Sequence, residues 1–200
     1  LGFSAPNILA ADESTGLAVI EDLGDESYAR VLAEGGDETA LYTLALDLLI
    51  DMHQRFQGDR LIAVYDDARF LAEAVLFVDW YLPAIRGDQT SASSRNEYLQ
   101  RWRELLPLAR NVPTSLVLRD YHVDNLMLLK DRQGLRTCGL LDFQDAVVGP
   151  ITYDIVSLLE DARRDVSPQL SGRLICRYLD AKPTIDSDSF HTSYAIMGAQ

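Results

Sequence analysis

Apolar and polar positions recur along this chain with two different periods, and the change of period marks where helices give way to strands. Leu41, Leu44, Ala45, Leu48, Leu49, Met52 and Phe56 fall at helical spacing and share one apolar face, so this stretch predicts a core helix. A second helix is predicted from Asp67 to about Tyr81, ending before Pro83, which lacks the amide donor and clashes with the preceding turn. A third runs from Ser94 to Ala109 with an outer face rich in Arg and Glu, and Gly87 to Ser94 reads as loop.

Strand-like runs are shorter. Gly16 to Leu23 reads as a buried strand running out into the turn at Gly24-Asp25, the one strand expected near the start. Ser115 to Leu118, Asn125 to Leu129 and Thr137 to Leu141 read as strands of one small sheet, the last two a hairpin joined through Asp131-Arg-Gln-Gly. After Gly149-Pro150 the helical period returns at Tyr153 to Ala162, from about Ser167 to Leu179, and from Ser187 onward. The predicted class is α+β, a helical body with a small embedded sheet.

Composition narrows the function classes. No apolar run approaches bilayer-spanning length, so no membrane partner is expected. A formal charge of −13 without clustered Lys or Arg argues against a nucleic-acid partner. Cys138 and Cys176 have no His or Cys at ligand spacing, which disfavours zinc and disulfides and makes a reducing cytoplasm the simplest setting. The acidic positions Asp22, Asp25, Glu26, Glu34, Asp37 and Glu38 read as solvated surface with the helix-start preference of carboxylates.

The chemistry concentrates in Leu118-Arg-Asp-Tyr-His-Val-Asp-Asn125 and Gly139-Leu-Leu-Asp-Phe-Gln-Asp145. Asp120, Asn125 and Asp142 lie at strand boundaries, where a rigid scaffold can hold polar groups at a cleft. Phosphoryl transfer needs such a set, because a divalent cation neutralises the phosphates while a carboxylate orients the attacking hydroxyl. An Asp, four residues, an Asn, and a further Asp after the next strand pair is the kinase order and spacing.

With their flanks, Leu-Arg-Asp-Tyr-His-Val-Asp-Asn-Leu-Met and Leu-Leu-Asp-Phe-Gln-Asp-Ala resemble the aminoglycoside phosphotransferase branch of the protein-kinase-like fold. Within it the likeness is to bacterial kinases that phosphorylate N-acetylmuramate and N-acetylglucosamine at the anomeric position. Ala18-Val-Ile-Glu-Asp-Leu-Gly-Asp, Leu76-Phe-Val-Asp-Trp-Tyr-Leu-Pro and Asp145-Ala-Val-Val-Gly-Pro-Ile-Thr-Tyr-Asp share it, so the resemblance spans most of the chain. It implies ATP and magnesium as cofactors and a small sugar as acceptor. Asp120 would orient the hydroxyl proton, Asn125 and Asp142 would ligate magnesium, and the hinge Glu21, Asp22 and Leu23 would meet the adenine. Asp79, Trp80, Tyr81 and Asp145 would face the substrate, while His122 and Asp154 would support the catalytic loop. Aminoglycosides or other small alcohols are the alternative acceptors, and a non-catalytic nucleotide-binding module is the alternative of another class.

Plainer readings stand beside these. An Asp and an Asn five apart are common in polar turns, Trp80 could simply be a buried ring at a helix end, and Asp145 could cap a turn. His122 more often packs than reacts. The resemblance divides the chain into 1–37, hinge and remnant of an N-terminal lobe, and 38–200, a helical catalytic lobe whose last helix is cut. Lys130 and Lys182 are the only lysines, and no Gly-rich loop precedes Gly16, so most of the phosphate-covering lobe is expected to be missing. A chain limited to these residues is therefore expected to transfer phosphate far more slowly than one extended at its N-terminus. Equal rates in a direct assay of the two would show that lobe to be dispensable.

Overall fold

The computed structural model describes residues Leu1–Gln200 and contains no helix long and apolar enough to cross a membrane. A hairpin of β1 (Ile8–Asp12) and β2 (Leu17–Ile20) opens the chain, and every residue of both strands is exposed. Where one strand was expected there are thus two, and neither is buried. A short helix α1 (Tyr28–Ala33) follows, capped by Ser27, whose Oγ accepts from the Arg30 amide at 3.2 Å. This helix lies in the stretch read only as acidic surface.

The helix α2 (Glu38–Arg55) begins at Asp37, which accepts from the Ala40 amide at 3.0 Å, with Glu38 favourably placed in the first turn. It is buried on more than the one predicted face, because Tyr42, Leu46, Ile50 and His53 are covered as well as Leu41, Ala45, Leu48, Leu49 and Met52. Its neighbours are α6 (Tyr153–Leu159), α7 (Pro168–Ala181) and the strands β3 (Thr114–Val117) and β5 (Cys138–Leu140). The third predicted C-terminal helix is α8 (Ser187–Gly198).

Pro83 does not end the second helix. The α3 segment (Asp67–Leu76) widens into a π-turn (Phe77–Tyr81) and continues as α4 (Leu82–Arg86), stopping at Gly87 with φ 79°. In i→i+5 bonding the carbonyl of Val78 would have received its hydrogen bond from residue 83, which has no N–H, and Thr90 Oγ1 donates to it instead. Across from it lies α5 (Ala92–Ala109).

The strands also depart from expectation. They form two antiparallel ladders rather than one sheet: β3 with β6 (Val147–Pro150), and β4 (Leu126–Leu128) with β5. Two apolar cores lie beneath them, one around α2, α6 and α7, the other joining Tyr65, Phe70, Trp102, Val117, Val147 and Met197. Together the ladders place the ends of β3, β4 and β5 along one side of the helical body.

His53 is locked in the first core. Its Nδ1 lies 2.7 Å from the Tyr178 hydroxyl, and burial, with Lys182 nearby, pushes its pKa down from 6.5 to about 3. A neutral folded imidazole that gains a proton on unfolding supports the fold above pH 6.5 and loses that support as pH falls toward about 3. Between pH 6.5 and pH 5 the parent should therefore lose about 2 kcal/mol more unfolding free energy than His53→Gln. Urea unfolding at the two pH values checks this, and identical losses would contradict it.

Candidate active site

The loop between β3 and β4 is fixed from below by one carboxylate. Asp154, 1% exposed at the start of α6, accepts from the Leu118 amide at 2.7 Å and the Arg119 amide at 3.0 Å. Burial pushes its pKa up from 3.8 to about 7 against the pull of those two donors, and the charge of Asp120 adds to the rise. Arg119 and Asp142, with φ of 76° and 56°, are the only non-glycine residues in the left-handed region. Both belong to this site, where the surrounding bonds must hold a conformation that costs about 1–3 kcal/mol per residue.

The rest of the loop is tied in turn. Tyr121 is buried and donates through its hydroxyl to the Ala45 carbonyl at 2.8 Å, anchoring the loop to α2. The Asn125 amide nitrogen donates to the Asp120 carbonyl at 3.0 Å and lies 3.4 Å from His122 Nε2. With Nδ2 so engaged, Oδ1 of Asn125 is left free to accept. His122 is 7% exposed and packs under the loop.

The β4–β5 register brings the second acidic group alongside. Leu126 pairs with Leu140, and the Leu141 amide donates to the Asn125 carbonyl at 3.0 Å, so Asp142 follows directly at the level of Asn125. One Asp142 oxygen accepts from Gln144 at 2.6 Å, and the other has no partner. Asp120, Asp142 and Asp145 are exposed. Asn125 and Asp142 thus offer two hard oxygens, a donor set that suits magnesium when nucleotide phosphates and water complete its shell. No group of three or more His, Cys, Asp or Glu gathers to hold an ion by itself.

At the segment expected to form the hinge, the Glu21 amide donates to the Asn7 carbonyl at 2.8 Å, and the Glu21 carboxylate is held by Asn7 and by Arg132 at 2.5 Å. Asp22 Oδ1 accepts from the Gly24 amide at 2.8 Å. The amides of Asp22 and Leu23 and the carbonyls of Glu21 and Leu23 make no hydrogen bond within the chain. Farther along, both Asp79 oxygens are held by Arg95, at 2.7 and 3.0 Å, while Trp80 is 73% and Tyr81 60% exposed. Trp80 is therefore not a buried ring, and Asp79 has no oxygen left without a partner.

Glu73 was not among the residues singled out from sequence, and the pairing of Arg119 with it went unseen. Arg119 donates to Glu73 across a separation of 46 residues at 2.7 Å, a distance no local pattern encodes. The only available signal was Arg119 itself, a large charged residue beside the candidate catalytic carboxylate.

Removing the Asp154 carboxylate should loosen the loop measurably. Asp154→Ala leaves two buried amides without an acceptor and should cost about 2–6 kcal/mol, whereas Asp154→Asn, which keeps one acceptor, should cost about 1–3 kcal/mol. Urea unfolding ranks the two variants, and a cost near zero for Asp154→Ala would refute the bracing role.

Comparison with known proteins places the chain in a family. A model of the APH phosphotransferase enzyme family matches residues 1–188. An N-acetylmuramate/N-acetylglucosamine kinase of Caulobacter vibrioides is 39% identical over 206 residues, covering 99% of this chain and 56% of its own length. One of Neisseria meningitidis serogroup B is 32% identical, covering 98% and 60% respectively. The chain thus spans little more than half the length of these relatives. Among solved structures, the GDP complex of wild-type aminoglycoside 2′-phosphotransferase-IIIa superposes with a TM-score of 0.62 at 17% identity, covering 99% of this chain and 66% of that one. ADP-bound aminoglycoside phosphotransferase APH(2″)-Ib gives 0.63 at 16%, covering 98% and 64%. The loop held by Asp154, the facing Asn125 and Asp142 and the fold around them go with a sequence match over almost the whole chain, and this chain belongs to the APH phosphotransferase enzyme family.

Proposed function

We propose that this chain forms the catalytic body of an ATP-dependent kinase that phosphorylates the anomeric hydroxyl of N-acetylmuramate or N-acetylglucosamine. The observation that supports the proposal is the pair of bonds, Asn125 Nδ2 to the Asp120 carbonyl and the Leu141 amide to the Asn125 carbonyl, that joins the segments carrying Asp120, Asn125 and Asp142. The named activity of relatives at 39% and 32% identity supports the choice of acceptor. Residues 1–37 serve as hinge and nucleotide-side segment, and 38–200 as the catalytic and acceptor-binding body.

Each group has one task. The unpaired amides of Asp22 and Leu23 and carbonyls of Glu21 and Leu23 suit the donor and acceptor edge of adenine. Asn125 Oδ1 and Asp142 would hold magnesium, which when bound neutralises phosphate charge as the γ-phosphoryl group passes to the acceptor. Asp120 accepts the hydrogen bond of the anomeric hydroxyl and aims its oxygen along the line of transfer. Trp80 and Tyr81, exposed on the helix that follows α3, offer flat apolar faces to a sugar ring, and Asp145 an acceptor for its hydroxyls.

The test uses the full-length protein with N-acetylmuramate, N-acetylglucosamine and an aminoglycoside as acceptors, following ATP-dependent phosphorylation. The parent should phosphorylate the amino sugars, and Asp120→Asn should lower kcat by at least about 10²-fold while still binding ATP. A mutant as fast as the parent would remove Asp120 from its role. Phosphorylation of the aminoglycoside alone would replace the proposed acceptor.

A further inference from the structure

Asp120 can act only if the residue before it stays put, and Arg119 is restrained on every side. Its amide donates to Asp154, its carbonyl accepts from Ser157 Oγ at 3.3 Å, and its guanidinium lies 5.8 Å from the centre of the Tyr65 ring. One guanidinium nitrogen donates to Glu73 at 2.7 Å, while Nε is buried without a partner. Glu73 is itself gripped from the far side, accepting from the Tyr65 hydroxyl and, at 3.2 Å, from Gln200. A cavity of about 240 Å³ lined by Glu73, Arg119, Tyr153, Ser157 and Gln200 adjoins the pair. Without Glu73 the guanidinium has both room to swing and a reason to seek water.

We infer that Glu73 is a positioning residue: its ion pair with Arg119, reaching from α3 to the catalytic loop, fixes the direction of the Asp120 carboxylate. The pair also makes α3, whose continuation carries Phe77, Trp80 and Tyr81, mechanically continuous with the catalytic loop. A left-handed residue at φ 76° needs such over-determination, since relaxing Arg119 would rotate the peptide leading into Asp120. The inference rests on the kinase reading for its catalytic consequence, but not for the clamp itself.

Glu73→Gln keeps the shape and removes the charge. In the full-length protein it should lower kcat about ten- to a hundredfold, the scale of a small misplacement of a reacting group. The KM values for ATP and sugar should stay within about threefold of the parent, because both Glu73 oxygens are already taken by Arg119, Tyr65 and Gln200. Adding Arg119→Gln should cost little more, as the two act through one interaction. Independently of turnover, amide hydrogen exchange over residues 118–125 should quicken in Glu73→Gln. Unchanged kcat with unchanged exchange overturns the inference, as does a rise in sugar KM alone, which would make Glu73 a sugar ligand, or additive losses in the double variant. If the parent phosphorylates no sugar, the kinase reading fails by itself and the exchange measurement decides the clamp.

Discussion

The Asp154 carboxylate under the loop is the constraint on which the rest of the site depends. Two successive amides, those of Leu118 and Arg119, point into the protein interior where no water can satisfy them, and only this side chain receives them. Accepting both requires the chain to leave β3 by turning left-handed at Arg119, and that turn throws Asp120 outward. The next residue, Tyr121, returns to the core and bonds to α2. Exposed Asp120 is thus the crest of a loop anchored on both sides, and Asn125 closes it by bonding back to the Asp120 carbonyl.

On the proposed reading, charge explains why the site would need a cation. The chain carries a formal charge of −13, and Asp120, Asp142 and Asp145 on these two loops are exposed. A triphosphate brought there unaccompanied would be repelled by these carboxylates. The protein supplies an amide oxygen and a carboxylate in place of a complete metal cage, which on the proposed reading makes ion and nucleotide binding interdependent. Arginine offsets this charge only at Asp124, which lies 3.6 Å from Arg163, because Arg119 is paired with Glu73 and Arg132 with Glu21.

Much of this was legible in the sequence because it is local. Helical spacing found α2 and α5, and the Asp-Asn-Asp spacing found the loop and the strand end that meet. What escaped depended on partners far along the chain. The exposed β1 strand has no alternation to betray it, and Val147–Pro150 becomes a strand only because Ser115–Val117 lies opposite. Pro83 looked like a helix stop because nothing near it announces that Thr90 would cap the stranded Val78 carbonyl. Asp79 was expected to face the substrate, and only the fold shows Arg95, on the next helix, occupying both its oxygens. Glu73, two turns into α3, reads as an ordinary surface acid, and only the fold shows it against Arg119.

The central claim is that Asn125 and Asp142, on two adjoining loops, share one cation beside Asp120. The most direct measurement is a high-resolution structure of the full-length protein with magnesium and a non-hydrolysable ATP analogue. The account predicts an ion about 2.1 Å from Asn125 Oδ1 and from an Asp142 oxygen, with Asp120 facing the terminal phosphate across the acceptor space. An ion and triphosphate bound elsewhere, with Asn125 and Asp142 turned away from both, would contradict it.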